Sequence, residues 1–518
     1  MKLTDLCKKY KIKASDIYPY GEFGAKIKAE LTPCSTTKKH ILVTSINPTL
    51  AGEGKTTVAI GLADALNHAD KNSTIVCLRQ PSIGPTLGMK GGATGGGKSS
   101  LVNADYINLG LNGDFYLIET INNLIATIID NHIYHGNQLK IDPKTISWKR
   151  VIDLNDRSLR HFNLEINKGV NYNTGFDITA ASEIMTIFCL SKTVEEMLNR
   201  IERIVVGQNT SGKNVTVGEF KINWNFIRNL IDQLMQPNVL STKEDTLCLM
   251  HGGPFANIAH GCNSIITLNT ASKYAKYVIT EAGFGADLGC EKYINIVSQQ
   301  YRWPDAVVVV VTIKSIMLHG TNENKLIALK EGLTNLMVHI NAIKGYGFNP
   351  IIAINQFDDD TSEQIEIVTN WAKEQKIAIA TCSPYAEGKT SYKSLIKLVN
   401  KEINKRHYNL FSTYSRFDKL DSKLDLIIKK VYGLNTKYIL SPTAALKFKQ
   451  IQKLPYYVCM AKTQYSLSSD PTKLVYSPND TIEINDFVIL HGAEFIIPIC
   501  GEIFRMPGLP KTPNVQKP

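Results

Sequence analysis

The chain has 518 residues, too many for one hydrophobic core, so two or three domains are expected. Apolar residues make up 43% and charged residues 20%, which excludes an extensively disordered chain, and the longest apolar run, 306–313, is too short to span a bilayer. Lys and Arg number 58 against 47 Asp and Glu, a net charge of +11 with no basic cluster interleaved with aromatics; anionic small molecules are expected as ligands, with no nucleic acid and no membrane.

The opening segment MKLTDLCKKYKIKASDIY has no apolar core and carries acids, so neither a secretory signal nor a typical transit peptide is expected. The ten cysteines (Cys7, Cys34, Cys77, Cys189, Cys248, Cys262, Cys290, Cys382, Cys459 and Cys500) form no Cys-x-x-Cys pair, and most sit in apolar runs. Buried thiols in a reducing, cytoplasmic setting follow. Strand-like runs occupy 40–46, 73–79, 245–251, 274–280, 305–313, 350–355 and 376–381. Helical patterns separate several of them: KTTVAIGLADALNHA after the first, KLIALKEGLTNLMVHINAIKGY before PIIAIN, and TSEQIEIVTNWAKEQ after it.

Continuous β-branched runs alternating with amphipathic helices predict an α/β fold, a P-loop NTPase-like, mostly parallel sheet flanked by helices. Residues 131–244 read as an inserted smaller domain and 401–518 as a C-terminal α/β domain, leaving 1–130 and 245–400 for nucleotide and substrate. Ligands in such folds gather at the carboxyl ends of strands, so the segments just after them should carry the chemistry.

After the first strand comes GEGKTT, 52–57. Several N–H groups aimed at one anion require glycines and a helix start. Lys55 would supply a point charge for the β- and γ-phosphates, and Thr56 a hydroxyl ligand for Mg²⁺. The candidate ATP and phosphate residues are thus Thr49, Gly52, Glu53, Gly54, Lys55, Thr56 and Thr57. Thr49 stands where the usual G-x-x-x-x-G-K-[ST] pattern has its first glycine.

Arg79 ends the second strand and leads into a stretch with seven glycines, five of them within 91–97. That stretch reads as a flexible backbone surface closing on a polyanion, with Arg79 clamping a carboxylate or acyl phosphate. HGGPFANIAHGCNS, 251–264, carries His251 and His260 without further zinc-ligand spacing. Imidazoles orienting substrate oxygens and a structural histidine capping a turn are both open. TEAGFGADLG, 280–289, ends another strand with an acid, three glycines and Phe284. Asn355 and Asp358 in AINQFD mimic a GTPase guanine reader, but Gly-rich loops and no compact GTPase module fill the interval from the loop. The residues alone point to an enzyme that activates an unidentified substrate with ATP.

The same segments closely resemble formate–tetrahydrofolate ligases. GEGKTT, RQPSIGPTLGMKGGATGGG, DLNDRSLR, TGFDITAASEIM, HGGPFANIAHG, TEAGFGADLG, CMAKTQYSLSSDP and MPGLPKTP occur in the family order, nearly end to end. The resemblance implies that formate and MgATP give formyl phosphate, which tetrahydrofolate attacks to give 10-formyltetrahydrofolate. It implies catalytic roles for Lys55, Arg79, His251 and His260, with Arg79 holding formate. It also implies a pterin site involving Phe284 and Phe357, with Tyr385 standing where the family has tryptophan and Lys389 where it has glycine. A monovalent cation (K⁺ or NH₄⁺), whose ligands the sequence does not assign, and a homo-oligomer, dimer or tetramer, are further implied. Residues 107–124 also depart from the family pattern. The alternative is a catalytically degraded homologue that binds nucleotide or folate without turnover.

Overall fold

The β-branched runs become neighbouring strands of one large sheet in a computed structural model that describes residues 2–20, 24–30, 37–88, 92–110, 113–405 and 409–516. Cys34, residues 89–91 of the glycine-rich stretch and residues 111–112 of the 107–124 segment lie outside the described residues. In chain order the strands are β1 (Ile17–Tyr20), β2 (Gly24–Ile27), β3 (Lys39–Ser45), β4 (Thr74–Leu78), β5 (Asn238–Ser241), β6 (Leu247–Met250), β7 (Tyr277–Gly285), β8 (Ala306–Val311), β9 (Ile351–Asn355) and β10 (Ala378–Cys382). Across the sheet they run β1-β2-β5-β6-β4-β7-β3-β8-β9-β10. From β6 to β10 every pairing is parallel, while β1, β2 and β5 add an antiparallel edge.

Both faces are covered, which is why the strands read as unbroken apolar runs. Side chains alternate with period two. Ile41 and Val43 of β3 pack with Val58, Ile60 and Leu62 of helix Lys55–Ala69, while Leu42 enters the opposite layer with Val307, Ile352 and helix Lys325–Gly345. Every residue of β8 is buried.

All seven strands expected from the sequence are present. β1, β2 and β5 were not expected, and β5 carries the main sheet into the stretch 131–244 read as an insertion. The helical stretch after residue 182 breaks into Glu183–Leu190 and Val194–Glu202, each capped by a hydroxyl, Ser182 and Thr193. A second sheet closes the C-terminal part, with Ile439–Leu440, Glu483–Leu490, Phe495–Cys500 and Tyr457–Val458 side by side. The nine cysteines among the described residues are all buried and free. No helix among the described residues is long and apolar enough to cross a membrane.

Candidate active site

The carboxyl ends of β4, β7 and β3 lie side by side; β3 and β4 release loops, and β7 runs straight into a helical turn at Ala286–Cys290. After β3, Gly52 and Gly54 turn the chain at φ +81° and +69°, left-handed values that strain any other residue. A Cβ on Gly54 would also stand 2.5 Å from Asn355 Nδ2. That amide donates to the Glu53 carbonyl at 3.1 Å, so Asn355 braces the loop instead of reading a base. Glu53 is 1% exposed and accepts from Thr49 N–H at 2.7 Å and Thr312 Oγ1 at 2.5 Å. Its carboxylate ties the loop from within, so Glu53 could meet a phosphate only through its main chain.

Helix Lys55–Ala69 starts at Gly54 with no side-chain cap, which leaves its first N–H groups, including those of Thr56 and Thr57, open to an anion. Lys55 Nζ donates to Ser45 Oγ at 3.1 Å. Burial lowers the Lys55 ammonium from 10.5 to about 8, with the negative charges of Glu281 and Glu53 resisting.

Glu281 on β7 joins the two cationic elements. Thr56 Oγ1 donates to its Oε2 at 2.7 Å, and Arg79 Nη2 to its Oε1 at 3.2 Å. Arg79 Nη1 also donates to the Pro254 carbonyl at 3.3 Å. A Cβ on Gly283 would fall 2.7 Å from Nη1, so that glycine makes room for the guanidinium. The sequence marked Glu281 only as an acid at a strand end; its place between two loops could not be read without the strand order.

The two histidines part company. His251 is fully buried, with Nδ1 2.7 Å from Ser264 Oγ and Nε2 2.7 Å from the Leu234 carbonyl. Both ring nitrogens are spent inside the protein, which favours the turn-capping alternative over contact with substrate. His260 is equally buried, yet neither ring nitrogen has a hydrogen-bond partner among the described residues. Burial, with the charges of Lys292 and Arg79 adding, lowers it from 6.5 to about 3, so its ring is neutral at ordinary pH.

The glycine-rich stretch is more ordered than its composition suggests. Gly95–Gly96 pairs with Ser99–Ser100 as a hairpin. Lys98 N–H donates to the Tyr385 carbonyl at 3.0 Å and Ser99 Oγ to the Pro384 carbonyl at 2.9 Å. A Cβ on Gly96 would meet the Tyr385 ring at 3.3 Å. The described part from Gly95 to Ser99 packs against Pro384 and Tyr385. Tyr385 itself is 64% exposed and Phe357 39%. Lys314 Nζ lies 5.6 Å from the Phe357 ring centroid. Lys389 pairs with Glu244 at 2.5 Å. Phe284 is half-buried at φ +56°, a strained backbone for a bulky residue, and Ser45 Oγ lies 2.9 Å from its carbonyl.

Beneath the loop lies a buried polar hub that sequence reasoning missed. Asn47 Nδ2 donates to Asp287 Oδ2 at 3.3 Å and to the Gln464 carbonyl at 3.1 Å. Asn47 Oδ1 accepts from Asn335 Nδ2 at 3.1 Å and lies 2.9 Å from His339 Nε2. Lys462 Nζ pairs with Asp287 Oδ2 at 2.9 Å, both fully buried. Burial lowers His339 from 6.5 to about 4, resisted by Asp287 and aided by His319 and Lys462. The members come from residues 47, 287, 335, 339 and 462, so no local pattern announces them. No group of three or more His, Cys, Asp or Glu suited to a metal occurs among the described residues. A Mg²⁺ carried by nucleotide phosphates needs no such cage, since it keeps waters and takes one or two protein oxygens.

A parallel α/β sheet that gathers Lys55, Arg79 and an uncapped helix start at the ends of two strands flanking β7 defines an enzyme site for an anionic substrate. The family described as formate–tetrahydrofolate ligase matches residues 1–517. Formate–tetrahydrofolate ligases of Staphylococcus aureus strains NCTC 8325, MSSA476 and Newman are each 42% identical over 527 residues, covering 99% of this chain and 94% of the relative. The chain belongs to the formate–tetrahydrofolate ligase family of ATP-dependent ligases.

Proposed function

We propose that the chain ligates formate to tetrahydrofolate through formyl phosphate, giving 10-formyltetrahydrofolate, ADP and phosphate. Formate is a poor electrophile because its carboxylate oxygen is a poor leaving group. Transfer of the γ-phosphoryl group to that oxygen releases ADP and creates an acyl phosphate. N10 of tetrahydrofolate then attacks the formyl carbon, phosphate departs, and N10 gives up its proton. Phosphoryl transfer asks chiefly for positioning and charge neutralisation.

In this reading the helix start at Gly54 and Lys55 hold the β- and γ-phosphates, with Thr49, Gly52, Thr56 and Thr57 completing the cradle. Thr56 ligates the Mg²⁺ that accompanies ATP. Arg79 holds formate and then formyl phosphate, beside the neutral ring of His260. Phe284, Phe357 and Tyr385 receive the pterin. A K⁺ or NH₄⁺ requirement, a homo-oligomeric state and a cytoplasmic location belong to the same reading. The observation that carries it is the convergence of Lys55, Thr56 and Arg79 around the single buried carboxylate of Glu281.

The test is product formation by purified protein with formate, MgATP, K⁺ and tetrahydrofolate, omitting each in turn. The expected result is 10-formyltetrahydrofolate that needs formate, ATP and folate together. Arg79→Ser should abolish turnover while sparing most ATP binding; surviving turnover would refute the role given to Arg79. No product with ATP still bound would make this a binding homologue without catalysis.

A further inference from the structure

We propose that Glu281 is a carboxylate shared between Arg79 and the Mg²⁺ of ATP, so that the cation loosens its hold on Arg79 in favour of formate. This role rests on the ligase reading above and deepens it. β7 lies between β3 and β4 in the sheet, so its residue 281 sits between the helix start that carries Thr56 and the strand end that carries Arg79. Glu281 is 1% exposed, and a carboxylate so deeply buried must be paired. Its two oxygens are divided between two partners, Oε2 to Thr56 Oγ1 at 2.7 Å and Oε1 to Arg79 Nη2 at 3.2 Å.

The Thr56–Glu281 oxygen separation of 2.7 Å is close to the spacing of adjacent ligands on an octahedral cation. With Mg–oxygen bonds of about 2.0–2.1 Å, neighbouring ligands stand about 2.9 Å apart. A small turn of either side chain therefore converts the hydrogen bond into a pair of metal ligands. The site fits a Mg²⁺ held by one hydroxyl, one carboxylate, phosphate oxygens and water.

The same carboxylate is what Arg79 uses as its acidic partner. Glu281 presents to Arg79 the same group that formate carries, a carboxylate. A divalent cation beside Glu281 competes for that charge and weakens its hold on the guanidinium. Among the described residues Arg79 Nε has no hydrogen-bond partner, and Nη1 donates to the Pro254 carbonyl. Freed from Glu281, Nη2 and Nε form the fork that takes a carboxylate by two parallel hydrogen bonds. Gly283, whose Cβ would fall 2.7 Å from Nη1, gives the guanidinium the room it occupies. Formate affinity is thereby linked to the metal–nucleotide complex, and reciprocity requires formate to tighten the metal–nucleotide complex by the same factor.

Calorimetry of formate binding to the full chain tests this, with the non-hydrolysable nucleotide adenylyl imidodiphosphate in Mg²⁺ or in chelator. In the native protein formate should bind about tenfold tighter with Mg²⁺ than with chelator. In Glu281→Gln the chelator value should rise toward the Mg²⁺ value and the linkage should vanish. Electron paramagnetic resonance of Mn²⁺ in the nucleotide complex should show about tenfold weaker metal binding in Glu281→Gln, partly restored in Glu281→Asp. Equal formate affinity in Mg²⁺ and chelator in the native protein, a measurement that needs no variant, would overturn the proposal. So would a Glu281→Gln protein that keeps the full linkage. If product forms in the omission assay while the linkage is absent, the role of Glu281 fails and the ligase reading stands. If formate binds under no condition and no product forms, both fail.

Discussion

Asn47, Glu53 and Lys55 are buried and hydrogen-bonded within the protein, whereas Tyr385 is 64% exposed and Phe357 39% exposed. The phosphate end is braced from beneath by Asn355, Thr312 and the Asp287–Lys462 pair; at the aromatic end Tyr385 leaves its ring in the open above packed glycines. The contrast follows from what each end is proposed to hold. Developing charge is stabilised by dipoles and cations fixed in advance, which do not reorganise during reaction. A pterin ring gains from stacking, which is broad in geometry and tolerant of the ring that supplies it.

The sharpest way to break this contrast is Lys462→Met, which strands Asp287 as a buried, unpaired charge. Removing one partner of such a pair costs about 3–5 kcal/mol, so a large fall in unfolding free energy and weakened ATP binding are expected. Denaturant titration checks the first and calorimetry the second. Native stability in that variant would mean that the hub does not brace the loop.

Acid should loosen one end and spare the other. His339 sits near 4 in the fold against 6.5 unfolded, so its neutral ring contributes stability that is complete above 6.5 and lost as pH falls toward 4. At 1.36 kcal/mol per pH unit the loss is at most roughly 3 kcal/mol. Hydrogen exchange, corrected for intrinsic rates, should show residues 46–54 losing protection between pH 7 and 5 while 383–388 hold theirs. In His339→Gln the acid sensitivity of 46–54 should flatten.

Tyr385→Ala should raise the KM for tetrahydrofolate by about threefold to tenfold, from a stacking contribution of about 0.5–1.5 kcal/mol. The KM for ATP and the unfolding midpoint should stay unchanged; steady-state kinetics with each substrate varied separates the two. The smallest effect belongs to Lys389→Ala. Its pair with Glu244 is about a third exposed on each side, and such pairs contribute less than about 1 kcal/mol. Near-native kinetics and stability are expected, and a large loss in either would show that the aromatic end is more tightly held than its exposure implies.

Legibility in the sequence follows the range of the interactions. β3, β4 and β6 to β10 were readable because a strand buried on both faces writes itself as a continuous apolar run. β1, β2 and β5 were not: they form the antiparallel edge, are four residues each, and carry Tyr18, Lys26 and Asn238 among their members. Lys55, Thr56 and Arg79 were readable from local chemistry after a strand. Glu281 became meaningful only once the order β4-β7-β3 put it between two loops. At His251 the two protein partners, Ser264 and the Leu234 carbonyl, favour the turn-capping alternative, and no spacing rule encodes them.

The hub under the loop has a consequence for how the molecule comes into being. Asn47 bonds to the carbonyl of Gln464, 417 residues further along the chain. At a synthesis rate of about 5–20 residues per second, the ribosome needs roughly 20–80 s to travel between the two. The loop at 46–54 is thus made well before the residues that brace it. A polypeptide ending before Lys462 carries the GEGKTT motif without the Asp287–Lys462 pair and the Gln464 carbonyl beneath it.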